Sequence, residues 1–459
     1  MSLGSFSSRV RQLRGASPCD LEALTANIVT LPETPAQFRN CIFTPPRIFW
    51  LFLSQTLSAA QTCRESLRQA QALLSYNDEK IISSNTSAYC QARSRLPHSY
   101  AQAAYDSSVE NLRPYEAASW CGRKVKVTDG TTLSMADTPQ NQKEYPQPKH
   151  QKKGCGFPIM RLVAMFSLST GAILNVAKGA YAVAERTLWR QLWDVLEKGD
   201  VMLADRGFCS YADYWILLQR GVDSVMRLHA RRSVGVKEIK RLGKNDVLVE
   251  WIKSSWKPKW LSFEDWSQLP ASMLVRHVTI QVQWPGFRTD TITIATTLLD
   301  PVEYPAEAFA ELYLRRWRVE LFLRDIKITM KMDVLRCLTP AMIHKELTMH
   351  LIAYNLVRAL MTQASQQYNV DAARISFAGA VATIRQWAPK MALAPSDRKR
   401  DKMFQDLLFY IAHDRTPNRP NRVEPRAKKR RPKKYKLLNK PRSELKEIMC
   451  SNRYTNPLS

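Results

Sequence analysis

Two short stretches decide the fold: Lys124-Val125-Lys126-Val127-Thr128-Asp129 and Val201-Met202-Leu203-Ala204-Asp205. The first alternates with a period of two and reads as a strand ending in an aspartate. The second is a short, continuous apolar strand that runs straight into another aspartate. Between them, Ile159 to Ser167 and Ala172 to Ala177 read as a hairpin turning at Gly171. Ala182 to Leu196 has helical period, and Gly199-Asp200 is a turn. After Asp205, Tyr211 to Gln219 reads as a helix and Asp223 to Leu228 as a strand. An antiparallel meander followed by strands joined through helices predicts a mixed α/β sheet with helices on both faces.

A strand end places a side chain at the rim of a sheet, where a ligand can reach it. A lone aspartate there is usually a turn residue or a helix cap. Two in one sheet carry more weight when the protein is strongly basic, as this one is. The chain has 459 residues, with 68 Lys and Arg against 41 Asp and Glu, a net charge of +27. That excess points to a polyanion, most often nucleic acid. A hydrophobic content of 45% supports a real core and excludes a wholly disordered chain. The nine cysteines are sparse, odd in number and without a Cys-x-x-Cys pair, which argues against a disulfide scaffold or zinc ribbon and for a reducing compartment. No membrane span is visible, and Arg9, Arg11 and Arg14 are followed by no apolar run, so no signal peptide is expected. No GxxxxGK[ST] loop occurs, which disfavours an ATP-driven machine, and the seven histidines lack metal-ligand spacing.

The charge is concentrated. From Arg415 to Arg442 there are thirteen Lys and Arg and one acid, Glu424, interrupted by five prolines. Proline breaks helices and like charges repel, so an extended arm is expected, suited to sequence-independent phosphate contact. Lys428, Lys429, Arg430, Arg431, Lys433 and Lys434 form its centre.

The rest of the chain divides by texture. Residues 1–118 read as a helical domain, with helices over Arg47–Leu57, Ala59–Leu74 and Thr86–Arg95. It is a candidate DNA-binding domain, though a purely structural cap fits that segment equally well. Residues 119–229 form the first part of the sheet-bearing core, and 230–300 read as a β-rich insertion holding Trp251, Trp256, Trp260, Trp266 and Trp284. Residues 301–370 return to the core, with one long helix over Pro305–Met330 and another over Pro340–Ser365. Residues 371–459 hold further helices near Ser376–Ala388 and Asp397–His413, then the basic arm. The apolar face of the last helix suits either pairing of two chains or packing on the core.

On the long helix, Tyr313, Arg316, Glu320 and Lys327 are spaced by three, four and seven. At 3.6 residues per turn they fall within an arc of about 60°. Alone, such a stripe is an ordinary salt-bridged face. With two strand-end aspartates it supplies a third carboxylate, and three converging carboxylates can hold hard divalent cations. Two such ions clamp the attacking and leaving oxygens of a phosphodiester displacement. Nearby, Asp200 is explained by its turn, Asp213 by a helix start, and Asp325 lies on the wrong helix face.

The spacing Tyr313-(2)-Arg316-(3)-Glu320-(6)-Lys327 resembles the YREK signature of insertion sequence four family transposases, which are DDE transposases with an RNase H-like core. Asp129-Gly130-Thr131-Thr132-Leu133, with Asp137-Thr138-Pro139 and Tyr145-Pro146-Gln147, resembles the block around that family's first aspartate. Gly199-Asp200 through Asp205-Arg206-Gly207-Phe208 resembles the second. The resemblance covers roughly residues 124–360. It implies an RNase H-like mixed sheet flanked by helices, with a β-rich insertion between the second aspartate and the glutamate. It implies that Asp129, Asp205 and Glu320 are the catalytic, metal-binding triad, taking two Mg²⁺ ions with Mn²⁺ as substitute. Tyr313, Arg316, Lys327 and Arg206 would grip DNA phosphates. Members cut transposon ends and join the 3′-hydroxyl to target DNA, several through a hairpin that needs an end base flipped out. Trp317, beside Arg316, and Trp284 in the insertion are the candidate stacking platforms. The implied partners are the terminal inverted repeats and target DNA, with a homodimer pairing two ends, in the cytoplasm at the bacterial nucleoid and away from any membrane. Two other readings keep part of this: a DNA-binding repressor without catalysis, and a structure-specific nuclease on the same core.

Overall fold

The alternating stretch at Lys124 continues well past Asp129. Strand β1 spans Val125–Met135, so Asp129 is its fifth residue and not its last. The reason lies in its two edges. One edge stays paired with antiparallel β2 (Ile159–Ser167) as far as Ser134↔Ile159. The other pairs with parallel β4 (Val201–Ala204) only from Val125↔Val201 to Val127↔Leu203. The strand therefore persists after one of its ladders has ended.

The computed structural model describes residues 21–25, 28–34, 42–76, 79, 82–229, 235–282, 290–417, 438–441 and 444. A hairpin partner, β3 (Ile173–Ala180), flanks β2, and Gly171 makes the turn with φ +71. On the other side β5 (Asp223–Arg227) runs parallel to β4. The order β3-β2-β1-β4-β5, with β1, β4 and β5 parallel, is the RNase H-like arrangement. The tract after β5 does not stand apart from this sheet. Strands β6 (Val236–Gly243), β7 (Asp246–Ile252), β8 (Ser272–Val282) and β9 (Asp290–Thr296) continue it, with β9 antiparallel to β5. A short β10 (Val334–Leu335) pairs in parallel with Ser134 and Met135 of β1. The β1 edge facing β4 and β10 thus has no strand partner from Thr128 to Leu133 among the described residues.

Helices cover both faces. On one, α1 (Glu22–Thr25), α2 (Pro45–Leu57), α3 (Cys63–Tyr76), α4 (Ser87–Arg95) and α5 (His98–Glu110) share a core with Val125, Val127, Leu133, Leu203 and Val225 of the sheet. Helix α2 starts at Thr44, whose hydroxyl accepts from the Arg47 amide, with Pro45 in the first turn. It is buried from Ile48 to Leu57, which requires neighbours all round. After the short α6 (Pro139–Glu144), α7 (Glu185–Arg190), α8 (Tyr211–Gln219) and α9 (Phe263–Gln268) lie on the opposite side of the sheet. There Leu188, Trp189 and Tyr214 pack against Met202, Ala204 and Met226.

The expected single helix over 305–330 is three segments: α10 (Ala306–Arg316), α11 (Arg318–Arg324) and a π-helical turn, Asp325–Thr329. The 28-residue α12 (Pro340–Gln367) runs through the first core, followed by α13 (Phe377–Ala392) and α14 (Asp397–His413). Among the described residues no helix is long and apolar enough to cross a membrane.

One buried arginine joins two of the added strands and ties them to the segment leading into α10. Arg276 on β8 is fully buried and donates from Nε to Asp246 Oδ1 at 2.8 Å, and from Nη1 to the Tyr304 carbonyl at 2.7 Å. Removing one partner of such a pair strands the other charge in the core. Arg276→Met is expected to destabilise the chain by about 3–5 kcal/mol, read as a lowered melting temperature. Arg276→Met with Asp246→Leu should recover most of the loss, and an unchanged single variant would contradict this role.

Candidate active site

The register of the three parallel strands sets the first two carboxylates at one level. Asp129 and Asp205 each lie two residues beyond the pair Val127↔Leu203. Alternation puts Asp129 on the face of Val125 and Val127, and Asp205 on that of Val201 and Leu203, both toward the first core. The third strand adds a residue that motif reasoning missed. Arg227 lies one position beyond Ala204↔Met226, hence at the level of Asp205, and its charge acts on Tyr313. The strand-end argument that singled out the aspartates would have found it.

Helix α11 packs against β1 and carries Glu320 to this place. Burial pushes the Asp129 carboxyl up to about 6, opposed by its bond from the Gly130 amide and by Arg316. Asp205 and Glu320 raise it further, so both lie near enough to act on Asp129. Asp205 Oδ1 accepts from the Gly207 amide at 2.7 Å, an Asx-type turn that aims the carboxylate. Arg206 beside it is exposed.

The helix residues divide into two groups. Arg316, 8% exposed, sits with its guanidinium carbon 5.4 Å from the centre of the Tyr313 ring and 6.0 Å from that of Trp317. It reaches Glu320 Oε1 at 3.4 Å, while its Nε is buried without a hydrogen-bond partner. Tyr313 is 3% exposed, and burial raises its hydroxyl. Trp317 is half-buried at the break between α10 and α11. Lys327 belongs to the π-turn, so the even stripe expected of one α-helix is interrupted before it. It still returns to the site, donating to Thr131 Oγ1 at 2.8 Å, two residues along β1 from Asp129. Burial lowers the Lys327 ammonium.

Behind the π-turn lies a support that sequence reasoning did not identify. Asp325 faces away from the triad, as its helix position implies, and pairs with Arg358 of α12 at 2.9 Å. Arg358 also donates to the Tyr354 hydroxyl, and three rings, Phe322, Tyr354 and Phe377, lie 4.6–5.2 Å from its guanidinium. This pins the segment between Glu320 and Lys327 to the longest helix.

Of the insertion's tryptophans, Trp251 is fully buried and Trp260 lies under Arg190 at 3.7 Å, whereas Trp256 is 85% exposed. Trp284 falls outside the described residues, as do Lys428, Lys429, Arg430, Arg431, Lys433 and Lys434.

The donor set suits a hard divalent cation: three carboxylates, one of them raised by burial and by the other two. Among the described residues no three such side chains already lie within one coordination sphere. Glu320 is the adjustable member, with its side chain 60% exposed and held by the single long contact to Arg316.

The raised Asp129 carboxyl has a consequence for stability. The native state binds this proton more tightly than the unfolded chain, so stability falls as pH rises from about 4 to about 6. In divalent-free buffer at pH 7, Asp129→Asn is expected to be more stable than the parent by on the order of 1–2 kcal/mol, allowing for partial exposure. The advantage should vanish near pH 4 in thermal melts; equal stability at both pH values would contradict it.

Residues 120–356, more than half of the chain, match the model of the transposase DDE domain family. The chain is 25% identical over 394 residues to transposase InsG for insertion sequence element IS4 of Escherichia coli (strain K12), covering 84% of this chain and 85% of that protein. A 72-residue stretch is 38% identical to the probable transposase for insertion sequence element IS5377 of Geobacillus stearothermophilus, covering 16% of this chain and 19% of that one. Among solved structures, a piggyBac transposase synaptic complex with hairpin DNA matches with a TM-score of 0.39 and 9% identity, over 86% of this chain and 90% of its own. The chain belongs to the transposase DDE domain family, as a DDE transposase of the insertion sequence four type.

Proposed function

We propose that this transposase cuts DNA at the ends of its element and joins the freed 3′-hydroxyl to target DNA, with Asp129, Asp205 and Glu320 as the catalytic triad. The observation that supports the proposal is the placement of these carboxylates: Asp129 and Asp205 lie two residues beyond the same pair of two adjacent parallel strands, and Glu320 is on a helix packed on β1. A carboxylate whose charged form is disfavoured by burial, and further by like charges, is stabilised when a cation neutralises it.

The triad would hold two Mg²⁺ ions, with Mn²⁺ as substitute; when bound, they supply Lewis-acid activation of the attacking oxygen and stabilisation of the leaving one. The chain's own residues position the DNA. Arg316, with its buried unpartnered Nε, has donor capacity for a phosphate oxygen beside Glu320. Lys327 and the exposed Arg206 are the further phosphate contacts, and Tyr313 acts mainly by packing under Arg316. If excision proceeds through a hairpin, Trp317 is a half-buried aromatic surface beside Arg316 for a displaced end base, and Trp256 is more exposed than Trp260 in the loops of the added strands. The N-terminal helical region would read the terminal repeats, and the basic arm would hold DNA without regard to sequence. Cutting and joining two ends together calls for a homodimer with one site per end.

Glu320→Gln is expected to lower Mg²⁺-dependent nicking and strand transfer by at least about 10²-fold while leaving binding to the terminal repeats intact. Unchanged cleavage and joining in this variant would remove Glu320 from the triad. The joined product separates the proposal from a plain nuclease, which leaves none.

A further inference from the structure

Past the far end of β1, residues 146–157 form a loop that carries Lys149, Lys152 and Lys153, all exposed. No Asp or Glu occurs in the sequence from Tyr145 to Ala184. Among the described residues the lysine ion pairs belong to Lys124, Lys126 and Lys402, so these three have none. The carboxylates just before the loop are engaged elsewhere. Asp137 accepts from Gln142 Nε2 at 2.8 Å, and Glu144 lies 3.3 Å from His344 Nε2.

The loop backbone is fixed from within. Gln147 Oε1 accepts from the amides of Gly154 and Gly156 at 3.0 and 3.2 Å, and its Nε2 donates to the carbonyls of Gln151 and Lys152 at 3.2 and 2.9 Å. Gln142 of α6 accepts from the Gln147 amide and donates to the Gly156 carbonyl. A Cβ on Gly156 would collide with the Gln151 side chain, so only glycine lets the loop close. Its two ends are tied to strands: the Ile159 amide donates to the Tyr145 carbonyl, and the Met135 amide to the Pro158 carbonyl. A loop held at this many points loses little further freedom on binding.

The C-terminal tract comes to the same place. Leu438 to Pro441 belong to the run Arg415–Arg442 that holds thirteen Lys and Arg. Lys152 Nζ donates to the Asn439 carbonyl at 3.0 Å, and a Cβ on Gly154 would meet the Pro441 ring at 3.0 Å. The carbonyl orients the Lys152 ammonium without neutralising it and leaves two of its donors. Exposed Lys440, next to Asn439, adds a fourth cation. Cations gathered without counter-charge favour a polyanion, which gains by releasing its own counterions.

Register sets the distance to the triad. Ser134, which pairs with the first residue of β2, stands about 17 Å along β1 from Asp129. Tyr145, where the loop begins, packs in the first core, toward which Asp129 and Asp205 also point. We propose that Lys149, Lys152, Lys153 and Lys440 form a second DNA site, which takes the sugar-phosphate backbone of the bound duplex about five base pairs from the scissile phosphate. It contributes affinity and alignment, and reads no bases. The choice of DNA as the ligand rests on the triad being a DNA-cutting site.

The test compares the full-length parent with a triple variant, Lys149→Gln, Lys152→Gln and Lys153→Gln, after thermal melts of both. Binding is measured without divalent ions on duplexes of about 30 base pairs, with and without a terminal repeat, from about 50 to 200 mM salt. The variant is expected to bind both duplexes at least about tenfold more weakly at low salt, with a slope of log affinity against log salt shallower by about 2–3. Gln147→Ala, which keeps every cation, should also weaken both. Parental affinity and slope in the triple variant would overturn the proposal, as would a loss confined to the terminal-repeat duplex. Position is read by replacing one phosphate with an uncharged methylphosphonate, about five base pairs to either side of the cut. This should weaken the parent on one side and the triple variant on neither; parent and variant weakened alike would overturn the placement. Each readout is binding without cleavage, so failure here is distinct from failure of the triad, which is read by nicking in Glu320→Gln.

Discussion

The parallel ladder between β1 and β4 is the constraint on which the site depends. It stops at Val127↔Leu203, and because both strands advance by the same rise, Asp129 and Asp205 emerge at one level on one face. Asp129 lies within β1, and Asp205 is the first residue after β4, aimed by its turn to the Gly207 amide. β1 is kept extended beyond that point by β2 on its other edge, and β10 re-engages it at Ser134. The result is an interrupted edge, flanked by regular sheet, into which Lys327 reaches from the helical side.

Electrostatics and helix geometry follow from that opening. Burial, with a smaller contribution from the neighbouring Asp205 and Glu320, raises the Asp129 carboxyl to about 6. Arg316 offsets part of this, and it is itself buried, reaching Glu320 Oε1 at 3.4 Å with its Nε unpartnered among the described residues. The helix that carries these groups departs from regularity at both ends of the functional segment, at Trp317 and through the π-turn after Arg324. Irregular backbone of this kind is often found where side chains must be aimed. The ion pair of Asp325 with Arg358, enclosed by aromatic rings, keeps the irregular segment in one place.

Much of this was legible in the residues. The alternation of Lys124–Asp129 and the apolar run Val201–Ala204 carried the sheet, and the spacing of Arg316, Glu320 and Lys327 carried the third arm. Helix α14 falls where its apolar face placed it, near Asp397–His413, and the structure adds the Ser396 cap. What stayed hidden depends on pairing over long distances. The persistence of β1 past Asp129 is decided by β2, some thirty residues away, and the level of Arg227 by its register with β4. Strands β6 and β7 escaped notice because β6 is largely exposed and rich in charge, so it lacks an apolar signature. The break at Trp317 has no proline or glycine to announce it. The Asp325–Arg358 pair joins residues 33 apart, and sequence reasoning had set Asp325 aside as off the catalytic face, where its buried partner could not be foreseen.

The central claim is that two strands and a helix deliver three carboxylates to a single divalent-metal site. Replacing Mg²⁺ by Fe²⁺ and generating hydroxyl radicals at the bound ion cuts the backbone next to the ligands, independently of any DNA reaction. The account predicts three clustered sets of cuts, around Asp129, Asp205 and Glu320, all suppressed by excess Mg²⁺. Cuts at one of these places alone, or a pattern centred elsewhere in the chain, would contradict it.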